Sequence, residues 1–138
     1  MMVTYLLDTN TVSYIIKGRS PAARARLEAI DNKHRICISA ITEAELRYGM
    51  AKRPAAHKLH SAVEAFLLKL HILPWASDEA AAYGILRAQL EAAGTTLSEM
   101  DLLIAAQALA QSTIMVTSDK AFLQVTALKQ TVNWASDI

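Results

Sequence analysis

An α/β domain built on a parallel sheet is what this sequence predicts, and three observations predict it. Short apolar runs alternate with longer amphipathic segments along the chain, the order of strand–helix–strand units. Runs such as "YLL" and "IMV" are apolar at every position, as strands covered on both faces are. Glycine and proline are scarce, at 4 and 3 of 138 residues, and no repeat or low-complexity stretch interrupts the pattern. The length suits one domain spanning residues 1–138, and 53% hydrophobic residues suffice for a core of that size.

Each element has a local reason. Tyr5–Leu7 reads as a short buried strand, followed by a helix over Thr9–Lys17 that Gly18 stops. Pro21–Ile30 is a helix with proline in its first turn, where the missing N–H costs little. The second strand is Arg35–Ser39, "RICIS", and a helix over Thr42–Met50 follows it. His57–Leu70 is a longer helix, and Ile72–Pro74 a third strand ended by its proline. Asp78–Ala93 is a helix stopped by Gly94, and Ser98–Gln111 is another. Ile114–Thr117 is a fourth strand, Lys120–Val125 a short helix and Val132–Asn133 a short final strand.

Composition excludes some functions. A net charge of +1 is not the basic excess of a protein that holds nucleic acid by charge alone, so such a partner must be gripped locally. Cys37 is the only cysteine, which rules out an internal disulfide and fits a reducing cytoplasm. Met1–Leu7 is too short for a signal core, and no stretch has the length of a membrane span.

In open α/β sheets ligands sit beyond the carboxyl ends of the strands, so the residues following each strand carry the most information. Asp8 follows the first strand and Asp119 the fourth; if those strands are neighbours across a switch point, the two carboxylates meet. Glu45 shares a helical stripe with Ile41, Ala44 and Tyr48, whereas Glu43 has an i+4 partner in Arg47. The stripe predicts an inward Glu45 and an exposed Glu43. Asp101 lies in the first turn of "SEMDLLIAAQALA", a helix apolar nearly all round and therefore buried. Each acid has an ordinary alternative: Asp8 and Asp119 as helix caps, Ser98 and Asp101 as a capping box, Glu45 as a surface carboxylate. Together, four carboxylates at one edge repel one another and call for a hard divalent cation, Mg²⁺ or Mn²⁺. Such an ion polarises a phosphoryl oxygen and activates water, which points to phosphodiester hydrolysis.

The segments "LLDTN", "ISAITEAELRYG", "DLLIAAQALA", "MVTSDKAF" and "NW" resemble, in order and spacing, a PIN domain. More narrowly they are similar to VapC, the ribonuclease toxin of VapBC toxin–antitoxin modules. The resemblance spans essentially the whole chain. It implies a PIN-like three-layer α/β/α sandwich with a central, mostly parallel sheet, and Mg²⁺-dependent cleavage of RNA, often a structured RNA such as tRNA. It further implies a homodimer and inhibition by a VapB-like antitoxin. The family's acids map onto Asp8, Glu45, Asp101 and Asp119, as catalytic and metal-binding groups. The fourth position varies most in the family, which leaves either Asp119 or Ser118 to complete the site, and Glu99 is a further candidate to reach the metal through water.

Thr9, Asn10 and Thr117 are placed to hold the acids, or else to make local turn bonds. Tyr48, Cys37 and Trp134 read as packing residues. His57 and His60 lie three apart on one helix face but lack a third ligand, which favours a solvated face over zinc. Lys17, Arg19, Arg24, Arg26, Lys52 and Arg53 are candidates for RNA phosphates, against a plain solvated surface. Two other functions compete: a catalytically idle PIN-like interaction module, and a small phosphatase with Asp8 as nucleophile. The second usually requires an aspartate where this chain has Asn10.

Overall fold

The structure is a computed structural model, and it describes residues 2–128 and 130–134. In chain order these form β1 (Val3–Leu7), α1 (Thr9–Ile16), α2 (Pro21–Glu28), β2 (His34–Ser39), α3 (Ala40–Ala51) and α4 (His57–Leu67). There follow β3 (His71–Leu73), α5 (Ser77–Ala92), α6 (Glu99–Gln111), β4 (Ile114–Val116), a 3₁₀ turn (Lys120–Gln124) and β5 (Thr131–Val132).

The strands make one sheet in the order β3-β2-β1-β4-β5, and all four pairings are parallel. The chain moves outward from β1 through β2 to β3, then returns to β4 on the other side of β1. The switch point therefore lies between β1 and β4, where Leu6 pairs with Met115 and Leu7 with Val116.

Alternation along the strands divides the core in two. Leu6, Cys37 and Met115 face one layer, where Leu86, Leu90, Leu102 and Ile104 of α5 and α6 cover them. Leu7, Ile36, Ile38 and Val116 face the other, against Val12, Ile15, Val63 and Phe66 of α1 and α4. Both faces are buried, so the strands carry no polar alternation. The expected α/β/α sandwich is present, and its sheet is parallel throughout.

Side chains cap the helices where the sequence places them. Ser20 accepts from the Ala23 N–H at 3.2 Å and Ser39 from Ile41 at 3.0 Å. Gly18 and Gly94 take left-handed backbone, φ 67° and 70°, just past α1 and α5.

Some expectations need correction. The second helix ends at Glu28, short of Ile30, and the fourth at Leu67, short of Leu70; the next residue, Leu68, is 88% exposed, so no packing prolongs the helix. The short helix after β4 is a 3₁₀ turn that ends at Gln124, one residue short of Val125. The phase of α3 also differs. Its buried residues are Thr42 and Met50, whereas Ala44, Glu45 and Tyr48 are exposed; Glu45 is therefore not inward, and Glu43, expected in solvent, is the half-buried glutamate of the two. Thr42 is buried because its hydroxyl pairs with that of Thr9 at 3.1 Å, which hides a polar residue on the inner face. Tyr48 is 60% exposed and is not a core residue. Glu43 does bond Arg47, at 2.9 Å, as its spacing requires. Cys37 and Trp134 are buried packing residues, as expected.

Candidate active site at the carboxyl edge of the sheet

Parallel pairing of β1 with β4 brings the residues after both strands together. The Asp8 N–H donates to the Val116 carbonyl at 3.0 Å, which extends the ladder one residue beyond β1. Asp8 caps α1: its Oδ1 accepts the Thr11 N–H at 2.8 Å. Its Oδ2 accepts the Thr117 hydroxyl at 2.5 Å. The Thr117 oxygen in turn accepts the Asp119 N–H at 3.0 Å, and Asp119 Oδ1 caps the 3₁₀ turn through the Ala121 N–H at 2.9 Å. Thr117 thus ties the ends of both strands together. Thr9 bonds Thr42 instead of Asp8, and Asn10 is exposed, so Thr117 and the Thr11 backbone do the work expected of those two.

The electrostatics follow from burial. Asp8 is only 3% exposed, and burial pushes its carboxyl above the usual range. Bonds from Thr11 and Thr117 pull it back, while the negative Asp119 adds to the rise. Asp101, at the start of α6, is half-buried; its carboxyl is likewise raised by burial, then by Asp119 and Asp8. The Asp101 N–H is held by the Ser98 hydroxyl at 3.2 Å. Three aspartates from three elements therefore share one electrostatic neighbourhood, and two of them resist ionisation there.

Glu45 stands apart from this trio, exposed on α3 one turn beyond Thr42. It lines a groove between α1, α3 and α4. Glu99 is exposed, and it accepts a hydrogen bond from the Tyr83 hydroxyl, which also accepts from Arg87 at 3.0 Å. Ser118 is exposed, and the hydroxyl that reaches Asp8 belongs to Thr117. His60 donates from Nε2 to the carbonyls of Met50 and Arg53, both at 3.0 Å, and so ties α4 to the end of α3. Sequence reasoning missed Thr42, whose only signal was a polar residue placed next to a strand end.

Hard carboxylate oxygens, some buried and mutually repelling, fit a small divalent cation by charge and donor type. Among the described residues no three such side chains already converge on one point, so Asp8, Asp101 and Asp119 stand within reach of one another's field without closing.

Residues 5–128 match the PIN domain family. The chain is 37% identical to "Ribonuclease VapC2" of Haemophilus influenzae over 134 residues, 96% of this chain and 99% of the relative. It is 35% identical to the "tRNA(fMet)-specific endonuclease VapC" of Salmonella typhimurium, covering 86% and 88%. Its fold superposes on VapBC2 of Rickettsia felis, solved bound to a DNA fragment from its promoter, with a TM-score of 0.88 and 32% identity over 96% of this chain and 99% of that one. The DNA-bound VapBC of Salmonella typhimurium gives 0.87 and 31% over 96% and 99%. A parallel sheet with its switch point at β1/β4, acids behind both strands and likeness over nearly the whole length lead to one assignment: the chain belongs to the PIN-domain family and, within it, to the VapC ribonucleases.

Proposed function

We propose that this VapC ribonuclease hydrolyses RNA phosphodiesters at the carboxyl edge of its sheet, with a divalent cation held by Asp8, Asp101 and Asp119 and by Glu45 from α3. The observation that carries the reading is the meeting of Asp8 and Asp119 across the β1–β4 switch point, bridged by Thr117. Mg²⁺ is the expected ion, with Mn²⁺ able to replace it, because oxygen donors alone suit hard cations. When bound, the ion supplies charge stabilisation at a phosphoryl oxygen and lowers the pKa of water. The protein's own part is to hold the carboxylates in place. Thr117 holds Asp8, the Ser98 cap fixes the first turn of α6 beneath Asp101, and the 3₁₀ turn holds Asp119.

Relatives named as tRNA-specific endonucleases support a structured RNA, such as tRNA, as substrate. Relatives solved as VapBC complexes support a VapB-like antitoxin as partner. A homodimer is consistent with exposed Leu68, Ile72, Ile85 and Leu123, apolar side chains that a monomer leaves in water. No helix among the described residues is long and apolar enough to cross a membrane. A lone buried thiol, raised by burial, suits the cytoplasm.

The test is RNA cleavage by the antitoxin-free protein. Cutting is expected with Mg²⁺ or Mn²⁺ and none after EDTA; full activity in verified metal-free protein would sink the carboxylate–metal reading. Light scattering reads the dimer, and loss of cutting on adding the product of the adjacent gene reads the antitoxin.

A further inference from the structure

Helices α1, α3 and α4 enclose a groove of about 220 Å³ whose lining includes Ser13, Lys17, Glu45, Gly49, Lys52 and Arg53. One end of it lies near the Thr9–Thr42 bond, because Ser13 and Glu45 follow those two threonines by one helical turn. From Glu45 to Lys52 the groove runs about 10 Å along α3. It leads from Glu45 to a cationic end.

The cations at that end are not paired with a carboxylate among the described residues. Among the described residues Lys17, Lys52 and Arg53 make no ion pair, although Arg47 and Arg87 do, with Glu43 and Glu91. All three are exposed. Lys17 and Lys52 cap the carboxyl ends of α1 and α3, where a cation offsets the helix dipole by about 0.3–1 kcal/mol. That benefit explains two cations singly. It explains neither Arg53, which lies past α3, nor the convergence of two helix ends on one groove. Next to them the Tyr48 ring is 60% exposed, and the Lys52 ammonium stands 4.8 Å from its centroid.

We propose that this groove is a phosphate subsite for the RNA strand flanking the cleaved bond. Lys17, Lys52 and Arg53 neutralise its phosphates and Tyr48 offers a face to a base. The proposal rests on the ribonuclease reading above and names where that substrate lies. RNA is favoured over an acidic peptide because exposed aromatic faces beside cations are stacking platforms for unpaired bases. A net charge of +1 gives no long-range pull, so binding must come from a local cluster of this kind.

The experiment measures binding of a fluorescein-labelled, single-stranded 12-nucleotide oligoadenylate by anisotropy. EDTA is present, so no cutting occurs, and salt is raised from about 50 to 200 mM. Each phosphate that a variant no longer neutralises makes the plot of log affinity against log salt shallower by about 0.7. The triple variant Lys17→Gln/Lys52→Gln/Arg53→Gln is expected to lose about 2 from the slope, and each single variant about 0.7. Lys33→Gln/Lys69→Gln, at the opposite edge before β2 and β3, should keep the parental slope. Tyr48→Ala should weaken binding roughly five-fold or more at every salt concentration and leave the slope alone, since stacking releases no counterions. Melting curves check that every variant is folded. A parental slope in the triple variant, an equal loss in the control pair, or a parent that binds no RNA each overturns the subsite. If the parent cuts RNA while its slope ignores these cations, only the subsite fails and the groove belongs to a protein partner. A parent that binds through them but cuts nothing with Mg²⁺ or Mn²⁺ removes the hydrolytic reading instead.

Discussion

Two carboxylates are buried in this protein to nearly the same extent, Asp8 at 3% exposure and Glu79 at 2%, yet their environments act in opposite directions. Burial works to raise Glu79, but hydrogen bonds outweigh it and the net shift is downward. Its Oε1 accepts the Ala76 N–H at 2.8 Å, the half of a capping box that alanine cannot return, and its Oε2 accepts the Gln111 amide at 2.6 Å. Asp8 also has two donors, the Thr11 N–H and the Thr117 hydroxyl. There burial wins, helped by the negative Asp119, and the carboxyl is raised. The ion between α5 and α6 is satisfied and structural. The carboxyl after β1 is held where burial and a neighbouring carboxylate both disfavour its charge.

The contrast between these two acids breaks most visibly at Asp8. Asn caps a helix about as well as Asp, so a mere cap would survive Asp8→Asn with full activity. The expected outcome is a loss of cleavage of at least about a hundredfold, since changes to residues that only support a metal ligand already cost 10–100-fold. The same variant in EDTA should melt higher than the parent. A carboxyl raised in the folded state costs stability when ionised, so this gain is present above its folded pKa. It vanishes as pH falls through that value toward the ordinary 3.8. A thermal melt across pH, with and without Mg²⁺, reads both halves. Parental cleavage by Asp8→Asn would return the residue to a simple cap.

Glu45 and Glu43 sharpen the contrast on one helix. Glu45→Gln should abolish cleavage, and Glu43→Gln should leave it near parental, costing stability only the few tenths of a kcal/mol of an exposed ion pair. Equal loss from both, in folded protein, would remove Glu45 from the site. Thr117→Val should lower metal affinity or activity by about 10–100-fold, and Thr117→Ser should restore it by returning the hydroxyl. Calorimetric Mn²⁺ titration separates this from a general loss of fold.

Glu79→Ala is the reverse case. It leaves the Ala76 N–H and the Gln111 amide without their acceptor and should cost about 2 kcal/mol, a Tm lower by roughly 5–10 °C, with cleavage unchanged. Because the folded pKa of Glu79 lies below the ordinary 4.5, its contribution is present above that value and is lost as pH falls through the folded one. The parent's advantage over Glu79→Ala should therefore shrink in acid; an advantage that grows would mean the hydrogen bonds do not favour the ionised form.

Strand and helix order, the glycine stops and the serine and aspartate caps were legible in the sequence, because each depends on residues a few positions apart. So were Asp8, Asp119 and Asp101 as a group, since a carboxylate after a buried strand, or at the start of an apolar helix, has a position dictated by that element. The phase of α3 was not legible. Ala44 and Tyr48 look apolar yet face solvent, and Thr42 looks polar yet is buried, because Thr9, 33 positions earlier, supplies its partner. The same holds for Glu79, whose burial depends on Gln111, and for Thr117, whose bond to Asp8 spans 109 positions. Local sequence thus determined which groups this protein carries and on which elements. The pairing of β1 with β4 decided which of them meet, because a hydrogen bond or a shared field exists only when the fold brings distant residues within a few ångströms.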